Sequence, residues 1–122
     1  MAGVDVVILC LPDDAAKETV ALADSLPEGG PRILDASTAH RVAAGWTYGF
    51  PELTKGQDAA VAKARRVANP GCYPTAVQLG LLPLVEAGVV DTDHLIADAK
   101  SGVSGAGRKA ETHILFSEAS DN

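Results

Sequence analysis

Aromatic residues are scarce in this 122-residue chain, at 4% of the total, with two Phe, two Tyr and one Trp. Its core must therefore be aliphatic, and the 47% of hydrophobic residues can supply one. Blocks of positive charge are also missing. The longest basic runs are Arg65-Arg66 and Arg108-Lys109, and the formal net charge is −6, which argues against nucleic acid or an acidic membrane as partner. No apolar stretch approaches the ~20 residues of a membrane span, since the run from Val6 to Leu11 stops at Pro12. The amino terminus has no basic segment ahead of an apolar one, so no secretory signal is read. Only two cysteines occur, Cys10 and Cys72, far apart in the chain. They suggest a reducing, cytoplasmic compartment rather than a disulfide framework. The histidines lack carboxylate or cysteine neighbours at ligand spacing, so no metal site is expected.

What the chain does contain is most informative at Asn69-Pro70-Gly71-Cys72-Tyr73-Pro74-Thr75. Pro70 and Gly71 break the preceding structure, because proline fixes φ and glycine tolerates angles that other residues avoid. Pro74 suits the first turn of a helix, where a missing amide hydrogen costs nothing. Cys72 is thus expected at a helix N-terminus, where unpaired amides and the helix dipole favour a thiolate nucleophile. The other reading is a space-filling cysteine buried beside a turn. Asn69 either orients the cysteine or cofactor, or simply introduces the turn before Pro70.

The remaining patterns indicate an α/β chain. Residues 4–11 are nearly continuous apolar residues, the mark of a parallel strand buried on both faces, with Cys10 in the core. Asp13 or Asp14 is expected to cap a helix over 15–26, in which Thr19, Leu22 and Leu26 recur at helical spacing, as do Ala16, Val20 and Ala23. A strand follows at 32–36, giving a strand–helix–strand unit as in a doubly wound sheet. Residues 37–54 show little periodicity and read as a long ligand-bearing loop. A short helix over 57–64 and a strand over 66–68 lead to the cysteine turn. Residues 74–87 predict a central buried helix, bent near Pro83 and ended by Gly88. A strand is expected over 94–99, then a glycine-rich loop over 101–107 and weak helix over 108–116. That loop either approaches a phosphate or ribose closely or is a flexible connection.

The segment Asn69-Pro70-Gly71-Cys72-Tyr73-Pro74-Thr75-Ala76 resembles the active-site segment of N-acetyl-gamma-glutamyl-phosphate reductases. Four further segments match that family in order: Leu9-Cys10-Leu11-Pro12, Leu34 to Arg41, Tyr48-Gly49-Phe50-Pro51-Glu52-Leu53, and Ala99 to Arg108. The resemblance implies the later part of a Rossmann-like NAD(P)-binding domain at residues 1–71, its first strand and glycine turn missing. This would run into a glyceraldehyde-3-phosphate-dehydrogenase-like α+β catalytic and dimerisation domain, truncated, at residues 72–122. The chain is thus expected to be an interior piece of a longer, homo-oligomeric enzyme of arginine biosynthesis, inactive when isolated.

By the same resemblance, Cys72 would form a thioester with an acyl-phosphate substrate, and NADP would be the cofactor. Leu11, Pro12, Ser37, Asn69, Ser101, Gly102 and Gly105 would meet the cofactor, while Arg41 and Arg108 would meet the anionic substrate. His40 stands where the family commonly has an aromatic residue, and a packing or surface role is expected for it. Three other readings remain. One is an enzyme of the aspartate-semialdehyde dehydrogenase type, which usually has an Asn-Cys segment with a different continuation. The second is a thiol-dependent hydrolase or redox protein, against which stands the lack of a Cys-x-x-Cys partner or local base. The third is a fragment that folds or associates without catalysis.

Overall fold

The computed structural model describes residues 3–107, 111–115 and 117. They fall into two compact units, Met1–Thr92 and Asp93–Asn122, each treated by itself. The first unit is a small α/β arrangement on a four-stranded sheet. Its elements run β1 (Val6–Leu9), α1 (Asp13–Asp24), β2 (Arg32–Asp35), β3 (Thr47–Tyr48), α2 (Gln57–Lys63), β4 (Arg66–Ala68) and α3 (Cys72–Glu86). The sheet order is β1-β2-β4-β3, and every pairing is parallel. Because all four strands point the same way, the segments that leave them gather at one edge.

Alternation along the strands decides the core. The register pairs Val7 with Ile33 and Leu9 with Asp35, so these four residues share one face. Helix α1 covers that face through Ala16 and Ala23, both fully buried with Leu9 and Ile33, while Val20 packs at the margin. Alanine at the two contact positions lets helix and sheet approach closely; of the two series at helical spacing, Ala16, Val20 and Ala23 pack, while Leu22 of the other is 59% exposed. The tight return to β2 needs glycine. Gly30 has φ +65°, and a Cβ there would stand 2.6 Å from the Ala23 carbonyl oxygen.

Several sequence expectations are corrected. Strand β1 is not buried on both faces, since Val6 is 54% and Ile8 64% exposed. The helix that packs against it covers only the Val7–Leu9 face. Cys10 is exposed rather than in the core, because β1 ends at Leu9 and the next residue has already left the sheet. Pro12, not an aspartate, occupies the N-cap position of α1, and no side chain caps that helix. The segment 37–54 contains an edge strand, β3, that shows no period over two residues. Helix α3 runs through Pro83 to Glu86, and none of its residues is buried. In the second unit, residues 95–100 form neither helix nor strand, and Ile96 is 90% exposed. A β-prone run without a partner strand gains too little to form one. The described residues of this unit include the short 3-10 turns Val103–Ala106 and Thr112–Ile114, and the turn Thr92–His94 runs into its start. Among the described residues, no helix is long and apolar enough to cross a membrane.

Candidate active site

Cys72 is the first residue of α3 and is exposed. Gly71 precedes it in extended conformation as N-cap, with no side chain capping the helix. The opening amides of a helix have no partner within it. Here Thr75 N–H already donates to the Gly71 carbonyl at 3.0 Å, and Pro74 has no amide hydrogen. The amides of Cys72 and Tyr73 are therefore the two that the first turn can offer to an incoming oxygen. The Thr75 hydroxyl donates to the same Gly71 carbonyl at 2.8 Å and steadies the turn from behind.

The cysteine opens onto a cavity of about 640 Å³. One wall is the segment after β3, from Gly49 to Glu52; the other is Asn69, Pro70 and the Thr75 and Leu79 face of α3. The two walls are held together at their base, where Gly49 N–H donates to the Ala68 carbonyl at 2.8 Å. Only glycine fits there, since a Cβ would lie 2.9 Å from Val67 Cγ1 and 3.0 Å from the Ala68 carbonyl oxygen. Phe50, 4% exposed, anchors the first wall. Glu52 and Cys72 are the two ionisable side chains lining this space. Glu52 was not singled out from sequence, although it lies in the Tyr48–Leu53 segment that carried the resemblance.

The turn before Cys72 is tied to the neighbouring strand. Asn69 N–H donates to the Asp35 carbonyl at 2.7 Å, and the Asn69 side chain donates to the Pro70 carbonyl at 3.1 Å. Arg41 donates from Nε to the Asn69 carbonyl at 3.2 Å and from Nη2 to the Ala36 carbonyl at 3.4 Å.

Beneath these contacts lies a fully buried carboxylate, Asp35. Its Oδ1 accepts from Ser37 N–H at 2.9 Å, and its Oδ2 accepts from the Ser37 hydroxyl at 2.8 Å. His40 Nδ1 lies 2.5 Å from the same Oδ2. Burial pushes the Asp35 carboxyl up, but the bond to His40, the two from Ser37 and the charge of His40 together hold it below the ordinary carboxylate value. His40 also stacks on Trp46, with ring centroids 4.1 Å apart and planes 14° from parallel. Its role is thus packing, with a specific partner that sequence reasoning missed. The Asp35-x-Ser37 spacing was the available signal, since such side chains commonly bond the backbone two residues on.

Thr38 joins this loop to the start of α1, its amide and hydroxyl both donating to the Asp13 carboxylate. The Thr38 hydroxyl bond is the first cause that holds the Asp13 carboxyl below its ordinary value. Of the residues singled out from sequence, Leu11, Pro12, Ser37, Arg41, Asn69 and Cys72 all lie in segments leaving the carboxyl ends of β1, β2 and β4. Leu11 and Pro12 are exposed, whereas Ser37 is buried with its hydroxyl committed to Asp35. Ser101, Gly102 and Gly105 lie in the second unit. There Gly102 caps the turn holding Gly105, and a Cβ on Gly105 would meet Ser101 Oγ at 2.2 Å. Arg108 lies outside the described residues.

Residues 72–122 match the family model described as "Semialdehyde dehydrogenase, dimerisation domain". The N-acetyl-gamma-glutamyl-phosphate reductase of Thiobacillus denitrificans is 49% identical over 97% of this chain. That of Laribacter hongkongensis is 47% identical over 100% of it. The chain is a homologue of N-acetyl-gamma-glutamyl-phosphate reductase. It spans 38% of the Thiobacillus reductase and 40% of the Laribacter reductase. Among solved structures, aspartate semialdehyde dehydrogenase II of Vibrio cholerae, complexed with ASA, superposes with a TM-score of 0.56 at 19% identity. That match covers 69% of this chain and 26% of the other, and shows a shared fold. The likeness to these reductases runs over nearly the whole chain, the segment around Cys72 included.

Proposed function

We propose that this chain carries the nucleophile of an NADP-dependent acyl-phosphate reductase, which converts N-acetylglutamyl 5-phosphate to N-acetylglutamate 5-semialdehyde in arginine biosynthesis. One observation carries this reading: Cys72 stands at the uncapped start of α3 and opens onto a cavity. The homologues' name supplies the substrate, and their identity, far above that of the aspartate semialdehyde dehydrogenase, favours it over the shorter aspartyl compound.

In this reading the Cys72 sulfur attacks the acyl carbonyl carbon and forms a C–S bond. The carbonyl electrons move onto oxygen, where the Cys72 and Tyr73 amides receive the developing charge. As those electrons return, the bond to the phosphate oxygen breaks and inorganic phosphate leaves, with the acyl group held as a thioester. NADP in its reduced form supplies the hydride that takes the thioester to the aldehyde level. The carbon–sulfur bond then breaks, Cys72 is freed and the semialdehyde departs. Asn69, on the cavity wall, orients the reacting group, and Arg41 and Arg108 meet the anionic ends of the substrate. The exposed Leu11-Pro12 segment of the carboxyl edge would meet the cofactor, whereas the Ser37 hydroxyl is already committed to Asp35; Ser101, Gly102 and Gly105 are proposed cofactor contacts of the second unit taken by itself.

The domain reading that accompanies this is a Rossmann-like NAD(P)-binding part at 1–71 and a catalytic and dimerisation part at 72–122, of a cytoplasmic homo-oligomer. The family-model match over 72–122 supports the second part. The test is a Cys72→Ser variant of the intact longer enzyme, assayed with N-acetylglutamate 5-semialdehyde, NADP and phosphate by NADPH absorbance. Serine keeps the shape but loses the thiolate, so turnover should vanish while NADP binding persists. Turnover retained near the parent rate would rule out the covalent route.

A further inference from the structure

Arg41 sits where three separately derived features meet. Its guanidinium donates to the Ala36 carbonyl after β2 and to the Asn69 carbonyl after β4, so it spans the ends of two adjacent strands. It also lies against the N-cap of the cysteine helix, where a Cβ on Gly71 would stand 3.1 Å from Arg41 Nη1. Its own loop is fixed from below, because Ser37 and His40 both bond the buried Asp35. We propose that Arg41 is a positioning residue, a clasp that fixes the turn carrying Cys72 to the end of β2. The catalytic consequence rests on the thioester reading above; the clasp itself does not.

A planar guanidinium suits this task, since its donors form a rigid fork that reaches two carbonyls at once. An ammonium is a single point and cannot span them. With Asn69 held at both its amide and its carbonyl, the Gly71-Cys72-Tyr73 backbone has one orientation. The two free amides of α3 are then aimed before any substrate arrives. Two of the five guanidinium donors are spent on backbone, which leaves others for an anion.

The experiment compares the parent protein with Arg41→Ala and Arg41→Lys by two readouts. Amide hydrogen exchange measures the clasp directly. In both variants the Asn69 amide should exchange about tenfold faster, on the scale of one lost hydrogen bond, while the Leu9 and Ile33 amides keep their protection. Chemical modification measures the positioning. Acylation of Cys72 by acetyl phosphate and by uncharged p-nitrophenyl acetate should both slow about tenfold, since each needs the aimed amides. Alkylation of Cys72 and of Cys10 by iodoacetamide, which forms no oxyanion, should stay within about twofold.

Unchanged exchange at Asn69 would overturn the clasp. A loss confined to acetyl phosphate would overturn it too, as that marks a phosphate contact alone. Exchange that quickens equally at Leu9 and Ile33 would reduce Arg41 to a general stabilising role. If the parent itself is acylated by neither donor, the thioester reading falls, and exchange still decides the clasp.

Discussion

Asn69 donates its backbone N–H to the Asp35 carbonyl at 2.7 Å, so the turn that carries Cys72 hangs from the residue whose buried carboxylate organises the 37–41 loop. Backbone and side chain of Asp35 thus serve two different loops. The carboxylate fixes His40 and Ser37, and the carbonyl fixes the cysteine turn.

Replacing Asp35 by asparagine should therefore cost about 2 kcal/mol, within the usual worth of hydrogen bonds to a buried charged group. The direction of its shift also sets an acid limb. Asp35 is held below its ordinary value in the folded chain, so its contribution is complete above the unfolded value of ~3.9 and is lost as pH falls through the lower folded value. Urea titrations of the parent should show stability falling below about pH 4. The Asp35→Asn variant should lose much of that slope. An unchanged slope would mean the carboxylate is not held as described.

Trp46 is the single tryptophan, and it stacks on His40. His40→Ala should expose the indole, shift its emission to the red and cost about 1 kcal/mol of ring packing. His40→Phe should keep the emission wavelength but lose the Asp35 bond. Identical spectra for all three proteins would remove the stack from the solution structure.

Gly49→Ala should push β3 away from β4, because the nearest groups are a valine side chain and a backbone carbonyl that cannot swing aside. A destabilisation of about 1–3 kcal/mol is expected from such overpacking, read as a lowered Tm. The cavity wall should move with it. Full stability in the alanine variant would show that the sheet edge yields freely.

Both cysteines are exposed, so accessibility alone does not single out the nucleophile. Iodoacetamide should modify Cys10 as well as Cys72. Acyl transfer should separate them, since Cys72 is itself the first residue of a helix whereas Cys10 lies ahead of the α1 N-cap, Pro12. Cys10→Ser should leave acylation intact and Cys72→Ser should remove it, with peptide mass spectrometry locating the adduct. An acyl group found on Cys10 would defeat the assignment.

The parts of this fold that were legible in sequence are those where one residue type has one physical use. Pro70, Gly71 and Pro74 could only bracket a turn and a helix start, and Cys72 is where they imply. Helical spacing marked α1 as a helix but offered two series, and only packing against β1 and β2 selected Ala16, Val20 and Ala23 over Thr19, Leu22 and Leu26. What escaped depended on partners distant in sequence. The apolar run of β1 does not say which of its faces a helix will cover, so Cys10 and Ile8 were misjudged. Thr47 and Tyr48 form a strand only because Val67 and Ala68 lie beside them. Leu95 and Ile96 have the composition of a strand but no such neighbour among the described residues. His40 read as an outlier until Asp35 and Trp46 closed around it.

The order of the strands has a kinetic consequence. β4 is the last strand among the described residues, yet it lies between β2 and β3, and β3 pairs with no other strand among them. Until β4 inserts, β3 has no ladder and the Gly49–Glu52 wall has nothing to face. The same insertion delivers Asn69 to Asp35 and Gly49 to Ala68. Because closing such separated contacts is the slow part of folding, the β1-α1-β2 unit can form first and alone. The cavity wall, the cysteine turn and the edge strand are then expected to form together, because each depends on β4 being in place.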